Sequence, residues 1–322
     1  MSDLPSRDEL ARASDVVYAA LRPTPQYEWP LLSARVGAEV WVKHENHAPT
    51  GAFKVRGGLV YAEHLRRTAP DVAGLVTATR GNHGQSVGFV ARRHGLRATV
   101  VVPFGNSREK NAAMRALGVE LVEEGHDFQA ASEAAARIAQ ERGWHRMPSF
   151  HPRLVAGVAT YALELFQGAP PLDVVYVPVG LGSGACGVLA AREALGLATE
   201  VVAVVSAAAP AYALSLAAGR PVSHESTTAI ADGMACRTPD PTALAILRDR
   251  IARVVMVTDA EVEAAMRAIF SDTHNVAEGA GAAALAAALQ ERERIAGRRV
   301  AVVLTGANVD RDVYARVLGG GH

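Results

Sequence analysis

The chain is 322 residues long, 49% hydrophobic and 20% charged, a composition that can bury one large core or two linked ones. Lysine plus arginine and aspartate plus glutamate each total 33, a formal net charge of zero, and with no like-charge block nothing calls for nucleic acid or an anionic membrane as partner. No apolar run is long and uninterrupted enough to read as a membrane span, and the polar start from Met1 to Arg7 lacks the apolar core of a signal peptide.

Residues 6–21 read as an opening helix, with Asp8 and Glu9 in its first turn where the helix dipole favours negative charge, and with Pro23 and Pro25 ending it. Residues 39–43 form a short strand that leads into the segment Glu45 to Gly58, and a helix follows from Lys54 to about Arg67, stopped by Pro70. The rhythm then alternates: strand 74–78, helix 82–94, strand 98–103, helix 107–117, strand 119–122, helix 127–141. It resumes with strands at 174–177, 201–205, 254–257 and 300–304, and the Ala-rich piece 207–218 reads as a packed small-residue helix. Strands with little polar alternation, separated by helices of about 10 to 15 residues, specify parallel βαβ units with both sheet faces covered, an α/β fold. Residues 73–150 make one compact α/β run. Cys186 and Cys236 stand far apart, in neither a CxxC nor a zinc spacing; two buried reduced thiols suit a cytoplasmic protein.

Four segments carry candidate chemistry. In the first, Lys54 follows the apolar Phe53 and is preceded by the turn-capable Thr50-Gly51. A lysine set against apolar packing is disfavoured in its charged form, so its pKa falls and a free amine becomes available for imine formation with a carbonyl substrate or pyridoxal phosphate. Taken alone, Lys54 also reads as a surface lysine at a helix start, since most lysines are exposed. The second segment, Thr79-Arg80-Gly81-Asn82-His83-Gly84-Gln85-Ser86, lies at a strand-to-helix junction, where unpaired N–H groups attract an anion and glycines allow close approach. Alone, it is also an ordinary turn capped by Asn82.

The third segment is Gly180-Leu181-Gly182-Ser183-Gly184, a glycine-rich stretch before a helix and so a phosphate cradle. It is not a Walker loop. Gly182, Gly184 and Gly187 do satisfy the dinucleotide fingerprint, which would make the protein an NAD(P)-dependent oxidoreductase. That fingerprint wants an acid at the end of the next strand, and the only nearby one, Glu200, is at the wrong end. The fourth segment is Leu304 to Asp310, with Thr305 at a strand end. A catalytically silent α/β binding protein is a further alternative.

Glu45-Asn46, Thr50-Gly51-Ala52-Phe53-Lys54 and Arg56-Gly57 together resemble the cofactor-lysine segment of the serine/threonine dehydratases, members of the tryptophan-synthase-β-like, or fold type II, pyridoxal-phosphate enzymes. The resemblance implies a two-domain α/β fold in which residues 1–72 and 151–322 form a large cofactor-binding domain and residues 73–150 a small inserted one. It implies that Lys54 holds pyridoxal 5'-phosphate covalently and Phe53 packs beside the ring. The Thr79 loop resembles the family's S-x-G-N-H-A-Q, so Thr79, Arg80, Gly81, Asn82 and His83 line a substrate-carboxylate site, with Asn82 also reaching the cofactor's phenolic oxygen. Gly180, Leu181, Gly182, Ser183 and Gly184 stand as the phosphate loop. Thr305 faces the pyridine nitrogen, and such a hydroxyl makes the ring a moderate electron sink suited to elimination.

Residues 230–235 resemble the family's A-D-G-x-A turn, with Gly233 at the cofactor's edge, and residues 276–281 its E-P-x-G-A segment, with Glu278 near the ring. By themselves, Asp232 reads as a turn former and Glu278 as a helix-start acid. The chain also departs from the family pattern. Arg80 stands where the racemase branch carries a serine base, a part that arginine cannot play, which disfavours racemisation and leaves the substrate end bulkier or more cationic than usual. His47 replaces an apolar residue, and substrate contact is the expectation for it. No carboxylate follows the strand 201–205, so no divalent-metal site is expected there. The expected activity is an ammonia-lyase for L-threonine or L-serine, with a bulkier β-aryl serine as the alternative. Protonation of the departing hydroxyl falls to Lys54 or to the cofactor phosphate, and the residues do not separate the two. The family suggests a homodimer. No further domain is expected after the last strand, which makes end-product feedback less expected.

Overall fold

Valine-rich strands without a polar face need cover on both sides, and in the computed structural model, which describes residues 4–320, helices supply it. Met1 to Asp3 of the polar start, and the last two residues, lie outside the described residues. The strands are β1 (Gln26–Glu28), β2 (Glu39–His44), β3 (Gly74–Ala78), β4 (Arg97–Val102), β5 (Glu120–Glu123), β6 (His145–Arg146), β7 (Val174–Pro178), β8 (Glu200–Ser206), β9 (Arg253–Val257) and β10 (Arg299–Leu304). They make a six-stranded sheet in the order β1-β2-β10-β7-β8-β9 and a four-stranded sheet in the order β5-β4-β3-β6. Every pairing is parallel except β1 with β2. All residues of β3 and β7 are buried, as their unbroken apolar character requires.

The opening helix is Arg7–Tyr18, with Ser6 and Glu9 forming a capping box, and the small-residue helix is shorter than expected, Ala211–Ala218. Helices Lys54–Thr68, Pro152–Gly168 and Ser183–Ala194 cross at backbone contact. A β-carbon at Gly157 would lie 2.3 Å from the Arg56 carbonyl oxygen, and one at Gly187 would lie 3.0 Å from the Ala159 nitrogen. Glycine at those crossings draws the lysine helix and the glycine-loop helix together through a third. Helix Lys54–Thr68 also packs into a cluster with Leu75 of β3 and Val100 of β4, so it touches the cores behind both sheets.

One buried ion network fixes the start of this arrangement. Arg56 grips Glu45 through two bonds of 2.8 and 3.0 Å and Glu164 through bonds of 2.6 and 3.0 Å, while Lys43 reaches Glu164 at 2.5 Å. Glu45 and Arg56 are both 0% exposed. Two members of the lysine motif therefore hold the fold together and do not face a ligand. Among the described residues no helix is long and apolar enough to cross a membrane.

Candidate active site

The loops at the carboxyl ends of β2, β3, β7 and β10 meet in one cleft, where parallel sheets ordinarily present ligand sites. Backbone pairing joins two of them. The Phe53 N–H donates to the Thr305 carbonyl at 3.1 Å, and the Ala307 N–H to the Gly51 carbonyl at 2.9 Å. Gly51 has φ +66°, a left-handed turn that delivers Lys54 to the cleft, and a β-carbon there would meet Asn308 Oδ1 at 2.7 Å.

The result is a cavity of about 400 Å³. Phe53, Lys54, Thr79, Arg80, Gly81, Asn82, His83, Gly180, Leu181, Gly182, Ser183, Gly184, Gly233, Glu278 and Thr305 all line it. The structure thus brings together the nominated cofactor and substrate residues, with His47 the exception. His47 is a correction: it is not in the lining, because its ring nitrogen bonds Asn275 Oδ1 at 2.8 Å on the outside.

Lys54 Nζ lies 3.3 Å from Ser183 Oγ and 4.7 Å from the centre of the Phe53 ring. Burial lowers its pKa to about 8 against the opposing pull of Glu278. The chain has three lysines, and the other two are committed elsewhere, Lys43 to Glu164 and Lys110 to Asp232 and Glu278. Lys54 alone is left without a carboxylate partner among the described residues. His83 is held neutral, its pKa pushed to about 3 by burial and then by the Lys54 charge.

A polar chain braces the cavity wall. Asn308 Nδ2 donates to the Thr50 carbonyl and to Asn82 Oδ1, both at 2.8 Å; Asn82 Nδ2 donates to Glu278 Oε1 at 2.6 Å. Lys110, on helix Arg108–Ala116, then reaches Asp232 at 2.6 Å and Glu278 Oε2 at 3.3 Å. Burial opposes the Lys110 charge, yet the two carboxylates outweigh it and raise the pKa; burial likewise pushes Glu278 up, against Lys110. Sequence does not mark either residue as part of the site: Asn308 lies within the segment Leu304 to Asp310 with no role implied for it, and Lys110 belongs to no motif.

The residues fit a phosphorylated aldehyde cofactor. Gly182, at φ +98°, caps helix Ser183–Ala194 without any side-chain bond, leaving the first-turn N–H groups open to an anion. Tyr161 and Tyr212 hold the loop by donating to the Gly184 and Leu181 carbonyls at 3.2 and 2.9 Å. Two buried atoms of cavity-lining residues, His83 Nε2 and Ser226 Oγ, find no hydrogen bond among the described residues, as expected of groups kept for a ligand. The dinucleotide alternative fits poorly: Glu200 opens β8 and is paired with Arg253 and Arg298, while Gly187 serves helix packing.

A lone deprotonatable lysine, a glycine loop at a helix start and a parallel two-sheet frame define a fold type II pyridoxal-phosphate enzyme. A family model described as "Pyridoxal-phosphate dependent enzyme" matches residues 17–306. The chain is 33% identical to the L-threonine ammonia-lyase of Thermotoga maritima, covering 90% of this chain and 72% of that one. It is 35% identical to the biosynthetic L-threonine dehydratase of Salmonella typhimurium, covering 91% of this chain but only 58% of that one. A crystal structure of T.th. threonine deaminase superposes with a TM-score of 0.89 at 32% identity, covering 95% of this chain and 99% of that one. The chain belongs to the serine/threonine dehydratase family of pyridoxal-phosphate enzymes.

Proposed function

We propose that the protein deaminates L-threonine or L-serine by β-elimination, releasing a 2-oxo acid and ammonia. The observation that carries this is Lys54: an amine with pKa near 8, without a carboxylate partner, 3.3 Å from the serine of the glycine loop. When bound, pyridoxal phosphate supplies the sink for the electron pair left at the substrate α-carbon. Ser183, Gly184 and the open N–H groups of that loop would hold its phosphate, and Thr305, on the same cavity wall, would supply a hydroxyl to its ring nitrogen. Thr79, Gly81, Asn82 and the neutral His83 orient the substrate carboxylate at the start of helix Asn82–His94. Lys54, once released, removes the α-proton. Burial favours the uncharged form of that amine, which suits it to the part of the base.

The reading extends to the division of the chain, with residues 1–72 and 151–322 as a large cofactor-holding domain and 73–150 as a small one. The strands of the four-stranded sheet, all within residues 74–146, support it. A homodimer and a cytoplasmic location complete the proposal, the latter supported by two buried, unpaired thiols, Cys186 and Cys236. A screen of purified protein against L-threonine, L-serine and phenylserine for 2-oxo acid release tests the activity. No release from any of them overturns it, and release from phenylserine alone moves the substrate to the bulkier class.

A further inference from the structure

The bonds that brace the cavity wall fix which way the Asn82 amide points. The Thr50 carbonyl can only accept, so the Asn308 nitrogen 2.8 Å from it is a donor. The same nitrogen lies 2.8 Å from Asn82, so the Asn82 atom there is its oxygen, and its nitrogen is the one 2.6 Å from Glu278 Oε1. One of that nitrogen's two protons goes to Glu278. For the other no acceptor is found among the described residues, and Asn82 lines the cavity. The orientation depends on Glu278 accepting firmly, as its ionised carboxylate does with either oxygen.

Burial and the neighbouring Asp232 both work against that ionised form. Two cations oppose them. Burial favours the uncharged form of Lys54, which leaves Lys110, 3.3 Å from Glu278 Oε2, as the standing positive charge. Burial opposes the Lys110 charge too, but Glu278 and Asp232 outweigh it. The stem of Lys110 crosses Gly81, where a β-carbon would lie 2.5 Å from Lys110 Cδ, so glycine there keeps its path clear. Asp310 holds the helix that carries it, accepting from Ser107 Oγ at 2.6 Å and from the Arg108 and Glu109 N–H groups at 3.3 and 3.1 Å. We propose that Lys110 is a positioning residue for the cofactor: through its ion pair with Glu278 it fixes the Asn82 amide so that an N–H is offered to the cofactor's phenolic oxygen. This deepens the reading of the site given above and rests on Asn82 facing that oxygen. Without Lys110 a neutral Glu278 holds the amide more weakly and can present a donor to it.

The test titrates cofactor-free protein with pyridoxal phosphate and records the visible band of the bound cofactor. Lys110→Met should weaken binding about tenfold and move the band, because the donor to the phenolic oxygen is no longer held in place. Lys110→Arg, which keeps the charge, should recover at least part of both. In an Asn82→Ala background Lys110→Met should weaken binding further by less than about twofold, since the group it acts through is gone. Glu278→Gln leaves Lys110 its Asp232 partner and no carboxylate unpaired, and should show the same pattern in the two backgrounds. Equal weakening in both backgrounds, or a Lys110→Met protein with wild-type affinity and band, overturns the part given to Lys110 and leaves the reading of the site standing. A wild-type protein that takes up no cofactor overturns both.

Discussion

Replacing Lys110 by methionine removes a charge while keeping most of the stem that lies over Gly81. Lys110 is 6% exposed, Glu278 is 2% exposed, and the contacts to Asp232 and Glu278 are 2.6 and 3.3 Å. Removing one partner of a buried ion pair typically costs about 3 to 5 kcal/mol, because the opposite charge stays buried. Here Asp232 is 29% exposed and can recover water, and Glu278, whose pKa burial already raises, can take up a proton. The expected loss is therefore at the lower end, about 3 kcal/mol, read from urea unfolding followed by tryptophan fluorescence. Adding Glu278→Gln removes the orphaned charge, so the double variant should recover about 1 to 2 kcal/mol of that loss. A single-variant loss below about 1 kcal/mol, or a double variant whose losses simply add, would refute the clasp between helix Arg108–Ala116 and the Glu278 wall.

Gly182→Ala should weaken cofactor binding about tenfold or more, measured by titrating cofactor-free protein, because it strains a φ of +98° and drives a methyl to 2.8 Å from Ala243 Cβ. Arg56→Met leaves Glu45 buried without its cationic partner while Glu164 keeps Lys43, and unfolding free energy should fall by about 3 to 5 kcal/mol. The Lys54 shift has a defined sign. Its folded pKa, about 8, lies below the ordinary 10.5, so the charged amine opposes folding fully below pH 8 and progressively less as pH rises to 10.5. Cofactor-free wild type should therefore gain stability relative to Lys54→Ala across that window, and parallel pH curves for the two would contradict the shift.

The alternation of valine strands with helices was legible because β3, β7, β8 and β10 are buried on both faces and carry no polar period. Helix Gly279–Gln290 was not, since ten of its residues are buried and an apolar surface all round gives no helical stripe to read. β1 is three residues long between Pro25 and Pro30, too short for a pattern. Within the cavity, the glycine loop, Lys54 and the Thr79 loop announced themselves by local chemistry. Lys110 did not, because its part arises only when helix Arg108–Ala116 comes up against Asp232 and Glu278, 122 and 168 positions further along. The place of His47 in the motif does not reveal the direction of its ring, which is exposed and bonded to Asn275 Oδ1. Glu45 and Arg56 show the converse, since a motif can mark a buried brace as firmly as a ligand.

With three lysines in the chain, the identity of the reactive amine is directly measurable. Borohydride reduction of the holoenzyme, followed by peptide mapping, should place a single pyridoxyl group on Lys54. A label on Lys43 or Lys110, or a protein that takes up no cofactor, would contradict the account at its centre.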